Sequence, residues 1–114
     1  MTPEELANLL EARFPAVVKG TQVGVGRVRA VLMNDSFLDI WFNDRGRYSY
    51  HWQREDGAIY RFNNAPYHPS VPTHPHHMHH GQQDEIRPSP VRGVSEEDVN
   101  QVLTFIEQLL GTHL

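Results

Sequence analysis

The chain has 114 residues, which is enough for one domain with a modest core. Its formal net charge is −4 with neutral histidines. This argues against a protein that coats nucleic acid without sequence preference, since such proteins normally carry strong basic charge. Cysteine is absent, which excludes disulfides and thiolate metal sites, and no apolar run approaches the ~18 residues of a membrane span. We therefore expect one soluble, cytoplasmic domain over residues 1–114 with no membrane partner.

A short helix is predicted at the N-terminus. Thr2 can cap it, Pro3 suits the first helical position, and Glu5 completes a capping box. Leucines with helical spacing follow, and Pro15 ends the helix. A helix this short needs tertiary packing to persist.

Alternating apolar residues then predict an antiparallel meander of about four strands. The alternation changes parity near Gly26, which favours a β-bulge there. Asp56-Gly57 is typical of a two-residue hairpin turn, and such a turn would place Trp52 opposite Arg61. Strands are expected over residues 17–32, 37–42, 48–53 and 58–63.

A second helix is predicted near the C-terminus. Ser95 can cap it, and a 3.6-residue apolar stripe runs through it until Gly111. Phe105 lies off this stripe, which favours a homodimer that buries part of the helix or an exposed strand edge. The element order indicates an α+β domain with both helices on one face of the sheet.

The segment between the last strand and the last helix is dominated by histidine and proline. Six of the eight histidines lie between His68 and His80, together with three of the eight prolines, and a fourth proline is at position 66. Proline at this density forbids a helix and cannot donate to a central sheet ladder. The sequence therefore predicts a stiff, exposed, irregular arm over residues 61–81 that presents titratable groups.

One interpretation of the arm is metal binding. Residues two apart in an extended chain point the same way, so the arm can present pairs of imidazoles to zinc or nickel. The spacing matches no defined metal motif, and a non-catalytic metal-binding or protein-interaction module stays open as an alternative. The ligands in that alternative are His74, His76, His77 and His79.

The other interpretation is acid–base chemistry without a metal or other cofactor. Two histidines on opposite sides of a phosphodiester can deprotonate a 2′-hydroxyl and protonate the leaving oxygen, while Arg61 stabilises the phosphoryl charge. His51 is a further candidate, and Asn64 either orients the arm or only holds a turn. The predicted catalytic set is Arg61, Asn64, His68, His76, His77 and His79.

Two motifs in the chain resemble the TumE family of toxins from toxin–antitoxin modules. One is Arg61-Phe62-Asn63-Asn64-Ala65-Pro66-Tyr67-His68-Pro69, and the other is Thr73-His74-Pro75-His76-His77-Met78-His79. The resemblance implies a small cytoplasmic toxin with a cognate antitoxin. Analogy with other small toxins indicates RNA as the target and an endoribonuclease as the activity.

The chain departs from the family pattern at two positions. Asn63 stands where the family has an acid, and Tyr67 stands where it has a histidine. If either family residue is essential to activity, this copy is weakened or inactive.

Overall fold

Seven antiparallel strands form one sheet in the computed structural model, which describes residues 1–111. The strands follow one another across the sheet in chain order, so each pairs with its neighbour in sequence. The elements are α1 (Pro3–Arg13), β1 (Val18–Gly24), β2 (Arg27–Leu32), β3 (Phe37–Phe42), β4 (Tyr48–Gln53), β5 (Ile59–Asn63), β6 (His77–Gly81), β7 (Ile86–Pro88) and α2 (Glu96–Gly111).

Both helices begin at the predicted caps. The Glu5 amide donates to the Thr2 hydroxyl at 3.1 Å, and the Thr2 amide donates to the Glu5 carboxylate at 3.2 Å. At α2 the Asp98 amide donates to the Ser95 hydroxyl at 3.1 Å, and the Ser95 amide donates back to the Asp98 carboxylate at 3.2 Å. These reciprocal bonds satisfy amides that a helix start otherwise leaves unpaired.

One face of the sheet, here called the inner face, packs against both helices. Alternate residues of each strand point to it, and the largest of them, Trp52, is fully buried. The fully buried helix side chains that meet this face are Leu6 and Leu10 from α1 and Val99, Val102, Leu103 and Ile106 from α2.

Phe105 of α2 also belongs to this interior. Its ring makes edge-to-face contacts with Tyr60 at 5.6 Å and Phe62 at 5.7 Å between centroids. Phe105 therefore packs within its own chain, and its position off the stripe is no longer an argument for a dimer. The predicted homodimer itself stays a prediction.

The sheet has three more strands than the sequence predicted. The parity change near Gly26 is a tight hairpin turn, not a bulge, because Gly24 pairs with Arg27 and Gly26 has a φ of 67°. The irregular arm predicted over residues 61–81 was also too long, because both of its ends belong to strands. Its prolines exclude residues 64–76 from the sheet, but β6 begins at His77, two residues after Pro75, the last of these prolines.

The predicted register of the β4–β5 hairpin was wrong by one residue. Trp52 pairs with Tyr60, and His51 is the residue opposite Arg61. The turn contains one residue more than expected, since the Arg54 amide donates to the Ala58 carbonyl at 2.9 Å and Gly57 has a φ of 87°. A one-residue slip exchanges the two faces of a strand, so Arg61 leaves the predicted aromatic face.

The part of the chain that the structure describes contains no helix both long enough and apolar enough to cross a bilayer.

Candidate functional site

The second face of the sheet, here called the outer face, is polar and faces away from both helices. Its members alternate with the buried ones along each strand. They include Arg27, Arg29, Phe37, Asp39, Trp41, Ser49, His51, Arg61, Asn63, His77 and His79.

Charge is separated between the helices and the sheet. The two helices carry seven acidic residues and one basic residue, Arg13. The seven strands carry five basic residues and one acidic residue, Asp39. The outer face is therefore basic even though the whole chain has a net charge of −4.

A row of polar side chains crosses the outer face over five consecutive strands. Arg29 donates to both oxygens of Asp39 at 2.8 and 3.0 Å, and Asp39 pairs across the ladder with His51. Arg61 donates through its Nε to His51 Nδ1 at 3.0 Å and pairs across the ladder with His79. The polar row thus leads from β2 to β6.

Three histidines converge where the polar row ends. One ring nitrogen from each of His68, His77 and His79 lies within 4.8 Å of the other two. The His68 ring comes from the loop of residues 64–76 and lies 4.6 Å from the His77 ring between centroids. His77 and His79 are only 2% and 4% exposed, so the loop covers this end of the outer face. These three residues are called the histidine cluster below.

Backbone carbonyls orient two members of the cluster. His77 Nδ1 lies 3.0 Å from the Pro75 carbonyl oxygen, and His79 Nδ1 lies 2.6 Å from the Gln83 carbonyl oxygen. A carbonyl only accepts, so each Nδ1 carries the proton and donates it. Each Nε2 is then the nitrogen with a free lone pair, able to accept a proton or bind a metal.

The surroundings of the same two imidazoles favour the neutral form. Burial lowers the pKa of His77 and of His79 below the ordinary histidine value, although the carbonyl bonds act in the opposite direction. The positive charge of Arg61 lowers both pKa values further. His51 shows the same effect, since burial and Arg61 lower its pKa.

The other arm histidines lie elsewhere. His76 Nδ1 is 2.8 Å from the Tyr48 hydroxyl, and its ring stacks on Tyr48. His80 packs on the inner face, edge-to-face with Tyr60 at 5.3 Å. His74 is exposed in the loop. The four histidines of the predicted metal set therefore do not converge.

Asn64 lies outside the cluster and holds a turn. Its side-chain oxygen accepts from the Tyr48 amide at 3.2 Å, and its side-chain nitrogen donates to the Gly46 carbonyl at 2.7 Å. Asn63 forms a local turn of its own by accepting from the Ala65 amide at 2.9 Å. Of the predicted catalytic set, the structure brings Arg61, His68, His77 and His79 together and separates Asn64 and His76 from them.

A family model described as Toxin TumE matches residues 6–110, which is almost the whole chain and includes the polar row and the histidine cluster. The chain belongs to the TumE toxin family. Membership indicates a toxin role and implies an antitoxin partner. Searches of curated proteins and of solved structures returned no match.

The sequence reasoning missed two members of the polar row in this TumE family protein, Arg29 and Asp39. Both occupy polar positions that alternate with apolar ones in their strands. That alternation places them on the face opposite the core, but only the pairing of β2 with β3 shows that they face one another.

Proposed function

We propose that this toxin acts by cleaving RNA, with the histidine cluster and Arg61 as its reactive centre. The observation that carries the proposal is the position of three converging imidazoles beside an arginine on the basic face of the sheet. A neutral imidazole nitrogen can act as a general base, and a guanidinium can stabilise the charge that builds on the phosphoryl group during phosphodiester cleavage.

Arg61 is suited to hold a phosphate near the cluster. Its Nε is engaged by His51, and no hydrogen bond among residues 1–111 occupies its terminal nitrogens. A guanidinium with both terminal nitrogens available can bind two phosphate oxygens at once. Since Arg61 sits opposite His79 in the ladder, a phosphate bound there would lie next to the imidazoles.

The outer face offers a path for the rest of a single strand. Phe37 and Trp41 are each 43% exposed there, and the Arg29 guanidinium lies 4.3 Å above the Phe37 ring. Exposed aromatic rings beside basic side chains are how proteins bind single-stranded nucleic acid without sequence preference. A shallow groove of about 450 Å³ at this face is lined by Arg29, Phe37, Asp39 and His51, among others.

A second cavity, of about 710 Å³, lies between the β3–β4 turn and residues 92–94. It does not include any member of the histidine cluster, and its titratable side chains, which are Asp44, Arg47, Tyr48 and Arg92, include no imidazole. We therefore place the reactive centre at the cluster.

The direct test is to induce the parent chain and an Arg61→Ala variant in a bacterial host and to follow growth. In parallel, the purified proteins are incubated with single-stranded RNA and with DNA of the same sequence. We expect the parent to arrest growth. We also expect it to cleave the RNA but not the DNA, because DNA lacks the 2′-hydroxyl. For Arg61→Ala we expect a loss of about 10²-fold or more in cleavage rate.

Arg87→Ala is the matched control, since it removes the same charge from β7 at a position paired with Met78, on the opposite face from the cluster. This variant should keep the parent activity. Intact RNA with a toxic, folded parent would contradict the proposal. A harmless parent directs the test to Asn63→Asp with Tyr67→His, which restores the family residues and should restore cleavage if RNA is the target.

A further inference from the structure

We propose that His68, His77 and His79 together bind one divalent transition-metal ion, with zinc as the best match. The inference goes beyond the proposed function, because it concerns the occupant of the cluster and can be tested with the metal alone.

The spacing of the three nitrogens suits a single ion. They lie within 4.8 Å of one another, and a tetrahedral zinc bound at about 2.0–2.1 Å from each would place them roughly 3.4 Å apart. Two of the three are on adjacent outward positions of one strand, and the third is on a loop.

The same spacing fits a metal-free acid–base pair less well. In an in-line displacement the attacking and leaving oxygens lie on opposite sides of the phosphorus, and each needs an imidazole within hydrogen-bond reach. The two imidazole nitrogens would then be roughly 7 Å apart or more. The nitrogens of the cluster are closer than this.

The groups behind the imidazoles are those expected around a metal ion. A metal-binding histidine almost always donates its second ring N–H to a carbonyl, a carboxylate or water, which fixes the tautomer and the ring orientation. His77 and His79 both do so, to the carbonyls of Pro75 and Gln83. No hydrogen bond among residues 1–111 engages the Nε2 of either ring, and no buried side-chain nitrogen in that range lacks a partner. Each Nε2 is therefore unengaged but still accessible.

The donor set also selects the class of metal. Imidazole nitrogens suit zinc, nickel, copper and iron, whereas calcium and magnesium prefer oxygen ligands. The metal-binding group within residues 1–111 contains three imidazoles and no carboxylate. Three protein ligands leave a fourth position for water or a phosphate oxygen, as in catalytic rather than structural zinc sites. Arg61 lies opposite His79 and would hold an anion beside that position.

The test uses the full chain purified through a tag without histidine, so that the tag does not bind the metal. After loading with Zn²⁺ and exhaustive dialysis, the retained ion is counted by elemental analysis, and the affinity is measured by calorimetry. We expect one ion per chain, a higher melting temperature with Zn²⁺ by mass action, and strong visible absorption with Co²⁺ in a four-coordinate site.

His68→Ala is the main variant, because its ring comes from the loop and its removal leaves the sheet intact. We expect its affinity for Zn²⁺ to fall by more than about 100-fold, since losing only an outer partner of a ligand costs about 10–100-fold. His79→Ala should have the same effect, with circular dichroism confirming that it folds. His74→Ala is the matched control, because it removes an exposed histidine of the same segment and should leave the affinity unchanged.

Two results would overturn the inference. One is a parent that retains no ion after dialysis. The other is His74→Ala weakening Zn²⁺ binding as much as His68→Ala, which would show diffuse binding by surface histidines. One retained ion without RNA cleavage would contradict only the proposed function, and RNA cleavage in chelator by a protein that binds no ion would contradict only the metal.

Discussion

The two faces of the sheet differ most clearly at the two tryptophans of the chain. Trp52 on β4 is fully buried on the inner face, and its Nε1 donates to the Ser36 hydroxyl at 2.8 Å. Trp41 on β3 is 43% exposed on the outer face. The same residue type thus contributes to the core in one case and to an open polar surface in the other.

The histidines of β6 repeat this difference within one strand. His77 and His79 point to the outer face and join His68, while His80 points to the inner face and packs on Tyr60. Alternation along a strand separates neighbouring residues by face, so a histidine-rich segment contains two groups with different environments. Chemistry is expected from the outer group and packing from the inner group.

The largest expected effect separates the two tryptophans. Trp52→Ala should lower the free energy of unfolding by about 3–5 kcal/mol, because it leaves a large cavity in the core. Trp41→Ala should change it by less than about 0.5 kcal/mol, as a surface substitution does. Urea unfolding of both variants makes the comparison.

For Trp41→Ala we expect instead a loss of roughly tenfold in affinity for single-stranded RNA, from one lost stacking contact. Equal destabilisation by the two tryptophan variants would break the distinction between the faces.

The next effect separates neighbouring histidines. His79→Ala should reduce toxicity and RNA cleavage by about 10²-fold or more, whereas His80→Ala should keep both. The sequence predicted an exposed arm at this position, but His79 is buried. Its loss should therefore also lower the free energy of unfolding by about 1 kcal/mol. Growth arrest on induction, scored beside thermal melts, measures both. A fully toxic, folded His79→Ala variant would remove the cluster from the mechanism.

A smaller effect distinguishes the two asparagines at the end of β5. Asn64→Ala should lower the free energy of unfolding by about 1–2 kcal/mol, because it removes bonds to Tyr48 and Gly46. Asn63→Ala removes one bond, to Ala65, and should cost about half as much. Toxicity of Asn64→Ala, measured at a temperature where the variant is folded, should match the parent. Loss of toxicity in a folded variant would instead assign this residue to the site.

The smallest effect concerns pH and His51 of the polar row. Its pKa is lowered in the folded state, so between that pKa and about 6.5 the unfolded chain binds more protons than the folded chain. The contribution of neutral His51 to the free energy of unfolding is therefore fully present above about pH 6.5 and is lost as the pH falls through this window. His51→Gln should flatten the decrease in unfolding free energy between pH 7.5 and pH 5.5, measured in chelator.

The difference in unfolding free energy between His51→Gln and the parent at pH 7.5 measures the lost contact with Arg61, because this pH lies above the range in which His51 titrates. An unchanged slope in His51→Gln would show that its imidazole does not titrate differently on folding.

Local sequence was sufficient for the elements whose signals are short-range. The reciprocal caps at Thr2 and Ser95, the apolar stripe of α2 and the alternating strands β3 to β5 all depend on residues within a few positions of one another. The motifs around Arg61 and His68 also identified the TumE family, which the match over residues 6–110 confirms.

Tertiary structure decided which of the marked residues meet. One extra residue in the β4–β5 turn moves Arg61 to the face of His51 and His79. Local residue propensities do not determine the number of residues in that turn. Whether a histidine beside a proline-rich loop joins the sheet depends on the edge that β5 offers, so β6 could not be read from composition. The cluster forms because the loop of residues 64–76 folds back over β6, and the sequence contains the three histidines but not their distances.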